Sequence, residues 1–254
     1  MSVSKIKATV FSQEQLASDV FSMWLEVGSI ASEAKPGQFI SVYSNDDSKL
    51  LPRPISICEI DKEDSALHLV YRIAGAGTEE FSQKQTGDHL SVMGPLGNGF
   101  PLKSKKAFLI GGGIGIPPML ETAKQLNAQK TAVLGYRDEL FLNEEFAKYA
   151  DVYVATEDGS SGTKGNVLNA IQEKALEADM IFACGPTPML RALKEYAAAN
   201  HITCWISMEE RMACGIGACL ACVCKSKEKD AHSNVNNKRI CKDGPVFLST
   251  EVEI

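Results

Sequence analysis

After residue 105 the sequence alternates between short continuous apolar runs and longer runs whose apolar residues fall three and four apart, and this rhythm constrains the fold more than any other feature. "KAFLIGG" reads as a buried strand and "PPMLETAKQLNA" as a helix. The order repeats as "KTAVLGY" and "NEEFAKYA", "DVYVATED" and "NVLNAIQEKAL", "DMIFACG" and "PMLRALKEYAAANH", with "TCWISM" as a last strand. Strands separated by helices cannot close hairpins with one another. They pair in parallel and carry the helices on the faces of the sheet.

Up to about residue 100 the rhythm is different. "IKATVFSQ", "VFSMWLEV", "QFISVYS", "LHLVYRI" and "HLSVMG" are short, rich in Val, Ile, Phe and Tyr, and bounded by turn residues, the pattern of a small antiparallel barrel. "MGPLGNGFPL" sets Gly or Pro at 94, 95, 97 and 99 and marks a boundary. Residues 208–254 follow neither rhythm. Within them "KSKEKDAHSNVNNKR", 225–239, reads as a solvated loop, with contact to a partner as the alternative. The expected fold class is therefore multi-domain: an antiparallel β-barrel over 1–101, an α/β parallel-sheet domain over 102–207, and a small C-terminal domain over 208–254.

Charge narrows the function classes. The 32 acidic residues outnumber the 26 basic ones, for a formal charge of −6, which argues against nucleic acid or an acidic membrane as the principal ligand. The start, "MSVSKIKATVFSQEQLASDVF", has no apolar core of a signal peptide, and "FLIGGGIGIPPML" is too short and too broken to span a membrane. A cytoplasmic protein is expected. There thiols stay reduced, so eight cysteines, five of them between 214 and 241, point to metal or redox work and not to disulfides.

Five stretches carry chemistry. In "FLIGGGIGIPPML", Gly111, Gly112, Gly113 and Gly115 run from a strand towards Pro117 and Pro118, baring backbone N–H groups where a diphosphate can sit. Ile at 116 departs from the full dinucleotide fingerprint, so a tight structural turn is the competing reading. In "LLPRPISICEI", Arg53 and Ser56 flank a stiff Pro54, offering a cation for a pyrophosphate and a hydroxyl beside a flavin ring; an edge strand with an incidental arginine would look the same. "LVYRIAGAGTEEF" adds Tyr71 as a stacking surface, Arg72 as a second cation, and Gly77 with Thr78 as an exposed-amide turn. In "FACGPTPML", Cys184, Gly185 and Pro186 end a strand at the sheet edge where ligands of open α/β sheets bind, though a buried cysteine also serves as a small hydrophobe.

The fifth stretch, "CGIGACLACVC", spaces Cys214, Cys219 and Cys222 as C-x4-C-x2-C, with Cys241 further on, the plant-type ferredoxin arrangement for a [2Fe–2S] cluster. Zinc is the rival, but its sites usually join two short cysteine pairs, and Cys241 has no paired neighbour. Gly215, Gly217, Ala218 and Ala221 are small enough to let the loop wrap closely and aim N–H groups at sulfur. Cys224 reads as a spare thiol, and Cys58 and Cys204 as structural.

Taken in order, "RPIS", the "YR…GT" pair, "GGGIGIPP", "CGP" and "MACGIGACLAC" with "DGPVF" resemble the electron-transfer subunits of the NAD-dependent (type B) dihydroorotate dehydrogenases, within the ferredoxin–NADP reductase superfamily. The resemblance covers nearly the whole chain. It implies FAD in the barrel, held at Arg53, Pro54, Ile55, Ser56, Val70, Tyr71, Arg72, Gly77 and Thr78, and cluster ligands Cys214, Cys219, Cys222 and Cys241. It also implies NAD at the glycine turn and at Cys184 and Gly185. The implied partner is an FMN-containing catalytic subunit that oxidises dihydroorotate to orotate in pyrimidine biosynthesis, two of each subunit forming the assembly. Acid–base catalysis would then belong to the partner, and His68, His89, His201 and His232 show no constellation that says otherwise. Related subunits coupling NAD(P) to ferredoxin or hydrogenase partners are the nearest alternative, and a zinc-stabilised, redox-sensing nucleotide-binding module is the alternative from another class. The end of "GYRDEL" leaves NAD and NADP open, since Arg137 suits a 2′-phosphate and Asp138 a ribose hydroxyl.

Overall fold

The computed structural model describes residues 5–46, 48–229 and 234–254. Strands β1 (Lys5–Ala17), β2 (Val20–Glu26), β3 (Phe39–Tyr43), β4 (Arg53–Asp61), β5 (Ala66–Arg72) and β6 (His89–Leu96) close a barrel in the order β1-β2-β5-β4-β3-β6. Every neighbouring pair is antiparallel. Period-two alternation sorts the side chains: Ile40 and Val42 of β3 and Leu67, Leu69 and Tyr71 of β5 fill the barrel, so Ser41 of β3 and His68 of β5 take the outer face. Two short helices, α1 (Ser29–Glu33) and α2 (Ala76–Ser82), bridge strands where the sequence predicts none.

Beyond the boundary stretch, strands β7 (Lys106–Gly112), β8 (Gln129–Tyr136), β9 (Asp151–Thr156), β10 (Thr163–Lys164), β11 (Met180–Cys184) and β12 (Thr203–Ser207) pair in parallel. Helices α3 (Pro117–Gln125), α4 (Asn143–Ala147), α5 (Val167–Glu173) and α6 (Thr187–Ala199) cover the faces as the alternation predicts. The order β10-β9-β8-β7-β11-β12 reverses direction between β7 and β11. That switch point opens a crevice at the carboxyl ends of the strands, where ligands of such sheets bind. No helix among the described residues is long and apolar enough to cross a membrane.

The C-terminal segment is less independent of the sheet than its sequence rhythm suggests. β13 (Val223–Lys225) and β14 (Asn237–Arg239) form a hairpin, so the ends of the expected 225–239 loop are strands; residues 230–233 lie outside the described residues. After α7 (Ile240–Asp243), β15 (Val246–Leu248) joins the sheet antiparallel to β12, matching Ile206 with Phe247. Asn98, in the boundary stretch, locks this return: its Oδ1 accepts the Val246 N–H at 2.9 Å and its Nδ2 donates to the Val246 carbonyl at 2.8 Å. On the other side of the sheet the buried Glu121 of α3 accepts the Ile60 N–H of β4 at 2.8 Å and binds Gln125 at 2.6 Å, tying sheet to barrel.

Candidate functional site

At the switch point, the glycine turn and the loop after β11 are packed backbone against backbone. A methyl group on Gly115 would overlap the Cys184 carbonyl, so only glycine lets the two loops meet. Gly112 and Gly185 both lie beneath the Met189 side chain. The departure from the fingerprint at Ile116 has a local cause: Ile116 is fully buried, and a Cβ on Gly111 would sit 2.7 Å from its Cα. Glycine at 111, instead of 116, supplies the close strand–helix contact, and Pro117 opens α3 directly afterwards. Burial pushes the Cys184 thiol up to about 12, which a hydrogen bond with Ser207 only partly offsets. The side chain is a neutral, soft lining at the sheet edge and not a nucleophile.

The two stretches expected to hold a flavin are brought together. Arg53 opens β4, and its guanidinium lies against Gly77 in the first turn of α2, with Nε 2.7 Å from where a Cβ would stand. Thr78 is buried; its Oγ1 accepts the Ala74 N–H at 2.8 Å and donates to the Gly75 carbonyl at 3.0 Å, which fixes the turn. Pro54, Ile55 and Ser56 are half-buried along β4. Tyr71 requires a correction. Its ring lies inside the barrel against Phe21 and Phe81, and its hydroxyl donates to Gln13 at 3.2 Å, so it offers no stacking surface. Val70 is buried too, against the sheet side, leaving the backbone of 70–72 and the Arg72 side chain to meet a ligand.

Arg72 joins the two regions. It pairs with Asp19 at 3.1 Å, and its Nη2 stands 3.9 Å from the Cβ position of Gly113. Around them a cleft of about 90 Å³ between barrel and sheet is lined by Asp19, Arg72, Gly113, Tyr136, Arg137 and Asp138. Arg137 and Asp138, which sequence offers as rival readers of a ribose, pair with each other at 3.1 Å.

The cysteine loop gathers sulfur in two pairs. Cys214 sits beside Cys219 and Cys222 beside Cys241, while Cys224 lies in β13 opposite Lys238. Backbone N–H groups point at the sulfurs: Ala218 and Cys219 donate to Cys214 Sγ at 3.3 and 3.4 Å, and Cys241 donates to Cys222 Sγ at 3.4 Å. Burial opposes ionisation of Cys214, yet these N–H groups and that of Ile216 outweigh it and bring the thiol down to about 6. Burial and the neighbouring Cys222 hold Cys241 up at about 12. A cation placed among these sulfurs would favour the thiolate form that metal binding requires. Among the described residues, no three such side chains converge on one ion position. Two pairs suit a binuclear cluster, in which each iron takes two cysteines, better than one tetrahedral zinc.

Sequence reasoning missed one polar network. Ser22 Oγ lies 2.8 Å from His68 Nε2, and His68 Nδ1 lies 3.1 Å from Glu59, the order of a hydrolytic triad. Ser22 and His68 are buried beside Trp24, which stacks on His68 at 4.7 Å, and Glu59 pairs with Lys124 of α3 at 3.8 Å. Buried at Ser22 and His68 and paired to Lys124, the network is a barrel-to-α3 tie.

A barrel joined to a parallel sheet across a nucleotide-type crevice, with a loop of paired thiols, defines a ferredoxin-reductase-like oxidoreductase that carries an iron–sulfur domain. Residues 209–253 match the family described as the iron–sulfur cluster binding domain of dihydroorotate dehydrogenase B. The electron transfer subunit of dihydroorotate dehydrogenase B (NAD(+)) of Bacillus caldolyticus is 42% identical, covering 98% of this chain and 99% of its own length. The subunit of the same name from Fusobacterium nucleatum subsp. nucleatum is 43% identical over 97% of each chain. A chain in the solved structure of an NADH-dependent reduced ferredoxin-NADP oxidoreductase is 29% identical, with a TM-score of 0.87 over 97% of this chain and 89% of its own. A ferredoxin reductase of carbazole 1,9a-dioxygenase, 19% identical with a TM-score of 0.66, shares the fold over 80% of this chain and 67% of its own. The chain belongs to the family of electron-transfer subunits of dihydroorotate dehydrogenase B (NAD(+)).

Proposed function

We propose that this chain receives electrons from an FMN-containing subunit that oxidises dihydroorotate to orotate and delivers them to NAD, as the electron-transfer half of a cytoplasmic enzyme of pyrimidine synthesis with two of each subunit. Its working parts are an FAD barrel over 1–101, an NAD domain over 102–207 and a [2Fe–2S] domain over 208–254. FAD and the cluster, when bound, supply the conversion between hydride chemistry and one-electron transfer. The observation that carries the reading is the position of the barrel: Arg72 meets the nucleotide turn at Gly113, and Ser41 of β3 meets the thiol loop at Gly215.

Within that scheme the side chains bind, orient and tune. Arg53 beside Gly77 and Thr78 neutralises the FAD pyrophosphate. Pro54, Ile55 and Ser56 border its ring, while Val70, Tyr71 and Arg72 contribute backbone and, at 72, a cation. Gly111, Gly112, Gly113 and Gly115 let a dinucleotide approach the backbone, and Cys184 and Gly185 line the nicotinamide side. Cys214 and Cys219 hold one iron, and Cys222 and Cys241 the other. No side chain is assigned acid–base catalysis. NAD is favoured over NADP because the relatives are NAD(+) enzymes and because Arg137, which would meet a 2′-phosphate, is already paired with Asp138 at 3.1 Å.

Anaerobic reconstitution tests the reading. The chain, mixed with an FMN-containing dihydroorotate-oxidising subunit, should reduce NAD at the expense of dihydroorotate. Purified protein holding zinc and no iron, or a loaded complex that reduces no NAD, would sink it. The likeness to the ferredoxin-NADP oxidoreductase chain favours one second reading, a ferredoxin or hydrogenase partner. Reduction of NAD by reduced ferredoxin but not by dihydroorotate would select it.

A further inference from the structure

Ser41 is wholly buried, and its Oγ has no hydrogen-bond partner. Buried hydroxyls are nearly always bonded, so an orphan calls for a missing acceptor. The thiol loop covers it: a Cβ on Gly215 would stand 3.0 Å from Ser41 Oγ, with Leu96 Cδ1 and Met93 Cε next nearest. The two side chains present carbon there, and the Met93 thioether already receives the Tyr43 hydroxyl at 3.8 Å. Gly215 directly follows Cys214, the sulfur towards which the Ala218 and Cys219 amides point. Tyr43, next but one on the same outer face of β3, also lies within the electrostatic reach of Cys214. In the barrel register Ser41 stands opposite Pro54, so it adjoins the flavin stretch as well as the thiol loop.

We propose that Ser41 is a tuning residue whose hydroxyl donates a hydrogen bond to a sulfur of the iron–sulfur cluster and raises the cluster's reduction potential. This rests on the cluster of the function proposed above. A donor aimed at sulfur stabilises the reduced cluster, which carries one more negative charge, more than the oxidised one. The bond completes the hydroxyl that the protein alone leaves unsatisfied.

The test uses the full chain, purified anaerobically with its cofactors. In Ser41→Ala, an EPR-monitored redox titration should find the reduced-to-oxidised ratio of the cluster at a fixed potential lowered by about tenfold, a downward shift of about 59 mV for a one-electron couple. Iron content and the flavin midpoint should hold, and Ser41→Thr should restore the wild-type cluster value. In the wild-type protein, electron–nuclear double resonance should show a coupled proton that exchanges in D2O and is missing from Ser41→Ala. An unchanged cluster potential in iron-replete Ser41→Ala overturns the inference, as does a shift confined to the flavin, which would make the flavin the acceptor. Should the variant fail to hold iron, a wild-type spectrum without the exchangeable proton overturns it independently. Wild-type protein with no iron defeats the functional reading instead.

Discussion

Replacing Asp243 by Asn should loosen the thiol loop without touching a sulfur. The Asp243 carboxylate accepts three N–H groups of Arg239: the backbone N–H at 2.8 Å, Nε at 3.0 Å and Nη2 at 3.0 Å. Arg239 Nη1 in turn donates to the Gly217 carbonyl at 3.3 Å, inside the loop. The clamp therefore fixes α7, which bears Cys241, to the segment between Cys214 and Cys219. Exposed ion pairs contribute ~0.2–1 kcal/mol and hydrogen bonds to charged groups ~1.5–3 kcal/mol. With the two side chains 21% and 26% exposed, an intermediate loss of about 1–2 kcal/mol applies. That raises the population of the opened loop about 5- to 30-fold. Anaerobic iron release to a chelator, followed by the decay of visible absorption, should accelerate by the same factor. Release unchanged within about twofold in a folded, FAD-replete variant would refute the clamp, since the opening factor above requires more.

Three further outcomes follow from the same contacts. Cys224→Ser should leave iron content and visible absorption nearly intact, whereas Cys219→Ser should abolish both; the reverse pattern would reassign the ligands. Gly115→Ala forces a methyl into the Cys184 loop, so NADH affinity should fall about fivefold or more at unchanged FAD content, in line with an overpacking cost of ~1–3 kcal/mol; unaltered NADH titration of the flavin would count against the site. Glu80 is desolvated, which favours protonation, but bonds from Ser44, Asn45 and Lys49 prevail and hold its carboxyl below the ordinary range. A depressed folded-state pKa stabilises above the unfolded value of ~4.3 and is lost as pH falls through the folded one. Glu80→Gln should therefore weaken urea resistance at pH 7 but progressively less below pH ~4; a gap independent of pH would contradict that origin.

Much of the fold was legible because its strands are self-announcing. Each central strand of the sheet is a continuous apolar run bounded by turn residues, and each barrel strand alternates. β10 and β15 escaped because two or three residues cannot display a period; β15 is recognisable only through its pairing with β12. α1 and α2 have five and seven residues, too few for helical spacing to be read. The inward ring of Tyr71 was readable after all, since it shares the spacing of Leu67 and Leu69 on β5. The approach of Arg53 to Gly77, and the line from Ser22 through His68 to Glu59, depend on barrel registers that no local pattern encodes.

Core packing, in the same way, ties the C-terminal cysteines to both barrel and sheet. Met212, Cys222, Ile240, Cys241 and Phe247 share one core with Phe39 and Leu96 of the barrel and with Ile110, Ala183 and Ile206 of the sheet. A loop that merely wrapped a cluster would need none of these contacts. By packing Cys222 and Cys241 into the seam and returning β15 to the sheet edge, the chain makes the position of the thiol loop a consequence of the barrel-to-sheet geometry. The more exposed Cys214 and Cys219 then lie on the outer side of the seam, next to the exposed Ile216 and Leu220.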